Sequence, residues 1–253
     1  MPSKQYSGVP FRCKRRHDQT GDSVELASVH LELESRVEPT WDNPEPEDYI
    51  VDLRGDVMVR GNLDEDDVRV GSVSAFLVHL EQAYEDGMPW FDVLDAHSAD
   101  MAVYLNLIDD SESRYTEWVE TRFEPFGSDL LILDRIRIEP EHRGHGYGLY
   151  AAELIINGFG PSSGLVACVP APYELLRDAP IRTNDNGAQI GHERPIPGWE
   201  AAEAKLRKHW SLLGFQQVAS SDVFALSLTA RRPSIETVIQ KYVAGRRRQI
   251  ATQ

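Results

Sequence analysis

The sequence is poor in cysteine, with Cys13 and Cys168 its only two. Two cysteines cannot build a disulfide framework, nor supply a four-ligand zinc site by themselves, and the expected compartment is the reducing cytoplasm. Long apolar runs are missing too. No stretch approaches the roughly 18 apolar residues that a membrane helix needs. The basic N-terminus (Lys4, Arg12, Lys14, Arg15, Arg16) leads into no apolar core, so neither a membrane partner nor a secretory signal is expected. No internal repeat or low-complexity tract is visible. What is present is ordinary globular composition, 41% apolar and 26% charged over 253 residues, which excludes collagen, long disorder and a coiled-coil rod. That length suits one domain with insertions.

Positive charge is scarce and unevenly spread. The net charge is −15, yet residues 1–20 carry five Lys/Arg against Asp18, and residues 231–253 carry six against Glu236. The stretch between holds 15 basic and 39 acidic residues, a net −24. Such a body argues against nucleic acid as a partner and favours cationic ones, with solubility as the plainer explanation.

Residues 1–22 are polar and aperiodic, a flexible basic arm, and residues 23–230 read as one domain. Its first part, 23–80, is strand-rich. Val24–Val37 alternates, Tyr49–Arg60 reads as a strand interrupted near Gly55, and Val68–Leu80 as a third, joined by acidic turns into an antiparallel meander. Residues 91–123 are helical, with Leu94, Met101, Leu105 and Ile108 at helical spacing over Phe91–Asp109 and Ser98 as an N-cap. Ser113–Phe123 reads as a shorter helix. Next come a buried strand (Leu130–Ile138), a helix (Gly146–Asn157), a short apolar strand (Gly164–Val169) and an irregular insertion, 171–198. Glu200–Leu213 reads as an amphipathic helix with Ala202, Leu206, Trp210 and Leu213 as its buried stripe and Gly214 as C-cap. Short strands at Phe215–Val218 and Val223–Leu228 and a surface helix at Ser234–Val243, within a basic tail 231–253, complete the chain.

The chemistry is carried by one unit, a strand (Ile132–Ile138), a glycine loop and a helix. The loop Arg143-Gly144-His145-Gly146-Tyr147-Gly148 opens a helix directly after a buried strand. Glycines there admit a ligand close to the main chain. The unpaired first-turn N–H groups and the helix dipole favour a phosphate or pyrophosphate, and Arg143 adds a formal positive charge. The glycine spacing does not fit the Rossmann fingerprint, and no Lys follows as in a Walker loop. The pattern R-x-x-G-x-G, after the strand end Ile136, Ile138, Pro140, resembles that of the GNAT superfamily of acetyl-CoA-dependent N-acetyltransferases. The later helix followed by Gly214-Phe215 is similar to the family's as well. The resemblance spans about 130–230, with 171–198 as an insertion, and is loose over 23–129. It implies an α/β (α+β) fold with a mixed, mostly antiparallel central sheet flanked by helices. The 130–138 and 164–169 strands would be parallel neighbours that splay apart to leave a slot.

The resemblance also assigns roles. Main-chain groups at Ile136, Arg137 and Ile138 would bond the pantetheine arm, and N–H groups of Arg143, Gly144, His145, Gly146, Tyr147 and Gly148 the pyrophosphate of acetyl-CoA, the co-substrate. A neutral amine, on a small molecule or a protein, would attack the thioester directly, with the protein supplying positioning, an oxyanion contact and a proton path. The family's usual tyrosine acid, four residues before the Gly-Phe pair, is here Trp210, whose indole is no useful acid. His209, beside it, reads as a solvated helix histidine, and Tyr173 is a second candidate donor. Asp134, on a face with Ile132, Ile136 and Ile138, is the candidate general base or else the ion-pair partner of a strand arginine; Glu139 is nearer the loop but solvent-facing. Asp92, Asp95 and His97 are better explained by a helix start than by a metal, so no metal is expected, and Cys168 reads as a core thiol.

The leading expectation is thus an N-acetyltransferase, with the 171–198 insertion shaping specificity. The alternative is a catalytically weak or inactive GNAT-fold protein that binds CoA or regulates, favoured by Trp210. A third, an aminoacyl-tRNA acceptor held by the basic tails, meets the −24 middle. Acceptor, acyl group and oligomeric state stay open.

Overall fold

Short alternating segments before residue 80, then a doubly apolar strand and crossover helix, dictate a sheet that needs cover on two faces. The computed structural model describes residues 6–7, 28–36, 44–60, 66–98, 101–109, 111–177, 181–183, 189–192 and 196–251. In chain order, β1 (Tyr6–Ser7), β2 (Ser28–Arg36), β3 (Ile50–Arg60) and β4 (Val68–Val78) precede α1 (Leu80–Glu85) and α2 (Trp90–Ala96). A 3₁₀ turn (Ala102–Leu107), the ribbon β5 (Ile108–Asp109) with β6 (Arg114–Tyr115), and α3 (Glu117–Phe123) lead to β7 (Leu130–Ile138). Then come α4 (Tyr147–Phe159), β8 (Leu165–Cys168), α5 (Glu174–Arg177), the ribbon β9 (Ile181–Thr183) with β10 (Gln189–His192), α6 (Trp199–Ser211), β11 (Gln216–Gln217), β12 (Phe224–Ser227) and α7 (Ile235–Ala251).

Among the described residues the main sheet has eight strands in the order β1-β2-β3-β4-β7-β8-β12-β11. Every adjacent pair is antiparallel except β7–β8, which is parallel, with α4 as the connecting helix. The molecule is therefore mixed α/β, with a large, mostly antiparallel sheet flanked by helices, and the two strands expected to be parallel neighbours are so.

Two cores cover the two faces. On one, Leu31, Leu53, Leu131 and Leu133 meet Leu149, Ile155 and Ile156 of α4, Phe215, and Ile235, Val238 and Ile239 of α7. On the other, Phe76, Leu130, Ile132 and Leu165 meet Leu80, Trp90, Leu94, Val119 and Phe123 from α1, α2 and α3. Each such side chain contributes about 1.5–3 kcal/mol by leaving water. The run Leu130-Leu131-Ile132-Leu133 is buried on both faces, which is why it shows no alternation.

Several expectations are corrected. β3 runs unbroken through Gly55, which is glycine because a Cβ would collide with the Glu32 carbonyl of β2. Phe91–Asp109 is not one helix: α2 ends at Ala96, Ser98 caps nothing but accepts from Met101 N at 2.9 Å, and a 3₁₀ turn follows. Ser113–Phe123 shortens to α3, whose N-cap is Thr116, and α1 was not foreseen. The insertion carries α5 and the β9–β10 ribbon. Of the α6 stripe only Leu213 is fully buried. The helix at the chain's end is no surface helix, since Ile235, Val238 and Ile239 are core residues. The ends of the first expected strand (Val24, Leu26, Val37), the arm 1–22 apart from Tyr6–Ser7, and parts of 171–198 lie outside the described residues.

Candidate functional site

The site is built where β7 leaves the sheet's double cover. β7 pairs with β8 only at Leu130–Leu165, Leu131–Val166 and Ile132–Ala167. Beyond Ile132, β8 soon ends, while β7 continues to Ile138 against β4 alone. Two parallel strands thus part and, among the described residues, leave one edge of β7 without a strand. At the same level the ladder to β4 slips: Ala75 faces Leu133 and Ser74 faces Arg135, so Asp134 is the extra residue of a bulge. The bulge inverts the alternation. Ile132 lies in the second core, whereas Ile136 and Ile138 pack against the first. Asp134 therefore does not share one apolar face with Ile132, Ile136 and Ile138 as expected. It is half-buried and within electrostatic reach of Arg54, on the rung Arg54–Ser74–Arg135 of the neighbouring strands.

From Ile138 the chain passes through a 3₁₀ turn, Pro140–His142, into the glycine loop. Gly144 and Gly146 have φ of 94° and 84°, values that side-chain-bearing residues rarely adopt. Gly146 is the N-cap of α4; no side chain caps that end, and its first turn holds no acidic residue. Both features leave the terminus suited to an anion. His145 stacks on Tyr147, with ring centroids 5.4 Å apart, and its Nδ1 lies 3.2 Å from the His142 carbonyl. Gly148 lies over Ile136 and Ile138, with room for a Cβ.

Arg143 stands at the loop entrance but is engaged. Its Nε donates to the Ile138 carbonyl at 2.8 Å, and its second nitrogen donates to Glu174 of α5. Glu174 also lies 4.0 Å from Arg137 Nε. Glu139 is ion-paired to Arg69 and Arg137, at 3.5 Å each. Arg135 sits over the Tyr173 ring, 4.7 Å from its centre, so the segment after β8 reaches back to β7 on the side away from α4.

Trp210 packs edge-on against Phe215 at 5.4 Å, as a wall of the first core. His209 is not the solvated histidine expected. It is partly buried, edge-on to Tyr242 of α7 at 5.4 Å, and burial, with the Lys205 charge adding to it, pushes its pKa down to about 4. It is neutral at physiological pH. Cys168 is fully buried, and burial pushes its thiol up, as a core residue requires. Asp92, Asp95 and His97 form no metal cluster, nor does any other group among the described residues, and His97 packs edge-on to Phe76.

Two participants were missed. Glu174 on Arg143, and Ile239, whose Cδ1 lies 2.5 Å from where a Gly146 Cβ would sit, come from elements remote in sequence. No motif marks either; the apolar spacing of Ile235, Val238 and Ile239 was the only signal. A His79–Asp129 pair (3.0 Å) lies at the far end of β4 and β7, away from this site. No protein-family model matches the chain, and no curated protein matches it in sequence.

Proposed function

We propose that this chain is a GNAT-type N-acetyltransferase that moves an acetyl group from acetyl-CoA to an amine by direct attack. The observation that carries the reading is the parting of β7 and β8 after Ile132 and Ala167, beside the Asp134 bulge and at the foot of a glycine-opened helix. The residues present fit the co-substrate. α4 presents an uncapped N-terminus behind Gly144 and Gly146 for a diphosphate, and the strand-free edge of β7 from Ile136 to Ile138 offers main-chain groups for an amide-bearing arm. When bound, acetyl-CoA supplies the activated acyl group.

The chain's own part is positioning and proton transfer. The amine nitrogen bonds to the acyl carbon as the carbon–sulfur bond breaks, so one proton must leave the amine and one must reach the thiolate. Asp134, on the bulge beside the gap, would accept the first. Trp210, packed on Phe215 against the first core, gives no acid; Tyr173, held near Arg135, is the candidate hydroxyl. The acidic middle of the chain favours a cationic amine before it loses its proton. Thiol release from acetyl-CoA, measured over a panel of amines together with CoA affinity by calorimetry, tests the reading. Absence of CoA binding rejects it. Binding without turnover selects the second reading, a GNAT-fold CoA-binding or regulatory protein, which Trp210 favours.

A further inference from the structure

On the face of the sheet away from α4, the second core ends on β4 and β7 at the rung Phe76–Ile132. Past the bulge, Arg135 and Arg137 lie on that same face, because Ile136 and Ile138 pack toward the first core. Ser74 is directly opposite Arg135, and Ser72 is opposite Arg137. Such cross-strand neighbours have Cβ atoms about 5 Å apart, so one small ligand spans them. The other arginines of this strip are matched by carboxylates. Arg54 pairs with Asp52 at 2.7 Å, Arg69 with Asp56 at 2.7 Å, Arg137 with Glu139 at 3.5 Å, and Arg143 with Glu174. Arg135 is the exception. Among the described residues no carboxylate is ion-paired to it, and its guanidinium lies over the Tyr173 ring. A guanidinium seated on a ring keeps its in-plane N–H donors for a carboxylate. Ser72 and Ser74 are half-buried, and among the described residues neither hydroxyl has a hydrogen-bond partner. An unmatched cation and two unmatched hydroxyls thus share one face, beside the point where β8 ends.

We propose that Arg135 and Ser74 form a carboxylate receptor beside the gap, and that the acceptor is an amine bearing its own carboxylate, an amino acid in place of a plain amine. The proposal rests on the acetyltransferase reading and names the substrate class of that same site. Arg135 adjoins Asp134, the candidate base, so the pair suits an amine and a carboxylate a few bonds apart in one molecule. One guanidinium with neutral hydroxyls matches a single negative charge. The middle of the chain, at net −24, repels a dianionic phosphate but not a zwitterion, whose ammonium end it attracts.

Full-length wild type, Arg135→Gln and Ser74→Ala are assayed for thiol release from acetyl-CoA with a panel of amino acids and their carboxamides, which keep the amine and lose the carboxylate charge. Phosphoethanolamine serves as the phosphate arm. Arg135 is exposed, so its replacement leaves both cores intact. Wild type should favour each accepted acid over its amide in kcat/KM by about 10- to 100-fold, the worth of a charge-assisted pair. That ratio should fall toward one in Arg135→Gln and by about two- to tenfold in Ser74→Ala. A purely structural loss would lower acid and amide alike. Equal turnover of acids and amides by wild type overturns the receptor while the acetyltransferase stands, and a preference for phosphoethanolamine overturns the carboxylate class. If CoA binds without turnover, N-acetyl amino acids and their amides are titrated by calorimetry into wild type and Arg135→Gln with CoA present. A preference for the acid that the variant loses supports the receptor, and equal binding overturns it. If CoA does not bind, the acetyltransferase reading falls, and the same titration without CoA decides the receptor alone.

Discussion

Arg143 binds the carbonyl of Ile138 through Nε, at 2.8 Å, and so fastens the glycine loop to the last residue of β7. One guanidinium does this while its other nitrogen meets Glu174, a task for a planar fork that a lysine cannot repeat. Arg143→Lys should lower CoA affinity about tenfold, the worth of one charge-assisted hydrogen bond. Its denaturation midpoint should stay within about 1 kcal/mol of wild type, because the pair is exposed. Calorimetry and urea denaturation check both; unchanged affinity would remove Arg143 from the site.

Gly146→Ala meets two obstacles, a φ of 84° and the methyl of Ile239. The backbone strain alone costs about 1–2 kcal/mol, and the contact adds to it. Truncating Ile239 to Ala removes the contact and leaves the strain. The double variant should therefore be more stable than the sum of the two single losses predicts, by at least about 0.5 kcal/mol, the size of coupling expected for touching residues. Urea denaturation of the four proteins measures it, and strict additivity would show that Ile239 does not press on Gly146.

His209 has a pKa of about 4 when folded, below its ordinary value of 6.5 in the unfolded chain. The unfolded state therefore takes up the proton first. Stability linked to His209 is fully present above about pH 6.5, declines as pH falls between 6.5 and 4, and is lost below that. His209→Gln should flatten the pH dependence of the denaturation midpoint over this window. A variant with the wild-type slope would place the histidine in water.

Asp134→Asn separates base from ion-pair partner. As the base, its loss should slow turnover by about 10²–10⁴-fold, least at high pH where more amine is neutral, with little change in melting temperature. As a structural charge only, its loss should lower the melting temperature and spare the rate. Trp210→Phe should retain most activity, since Trp210 walls the core against Phe215, and Trp210→Tyr should match or exceed wild type. Rates and melts of the three variants check these outcomes.

The elements legible in the sequence were those whose signal is local. The doubly apolar Leu130–Leu133, the glycines before Tyr147 and the parallel return at Leu165 are written into short runs, and the structure pairs them as read. The Asp134 bulge was illegible, because a bulge is a mismatch between two strands and leaves no mark on one; strict alternation then set Asp134 beside the wrong isoleucines. Helix over Phe91–Asp109 was overread because apolar spacing persists across the break at Ser98. His209 looked solvated because α7, which covers it, sits far along the chain.

The three rungs between β7 and β8 have a mechanical meaning. They are the only strand pairing, among the described residues, that joins β1-β2-β3-β4-β7 to β8-β12-β11. The long ladders on the first side, from β2 through β7, are antiparallel and formed by longer pairings. Apart from the two-residue edge pairings of β1 and β11, the parallel seam is the shortest ladder in the sheet. Tension applied between β4 and β12 therefore meets its shortest ladder at this seam, and what holds the two sides together beyond three paired residues is the shared core that runs from Leu31 and Leu131 to Val166 and Phe224.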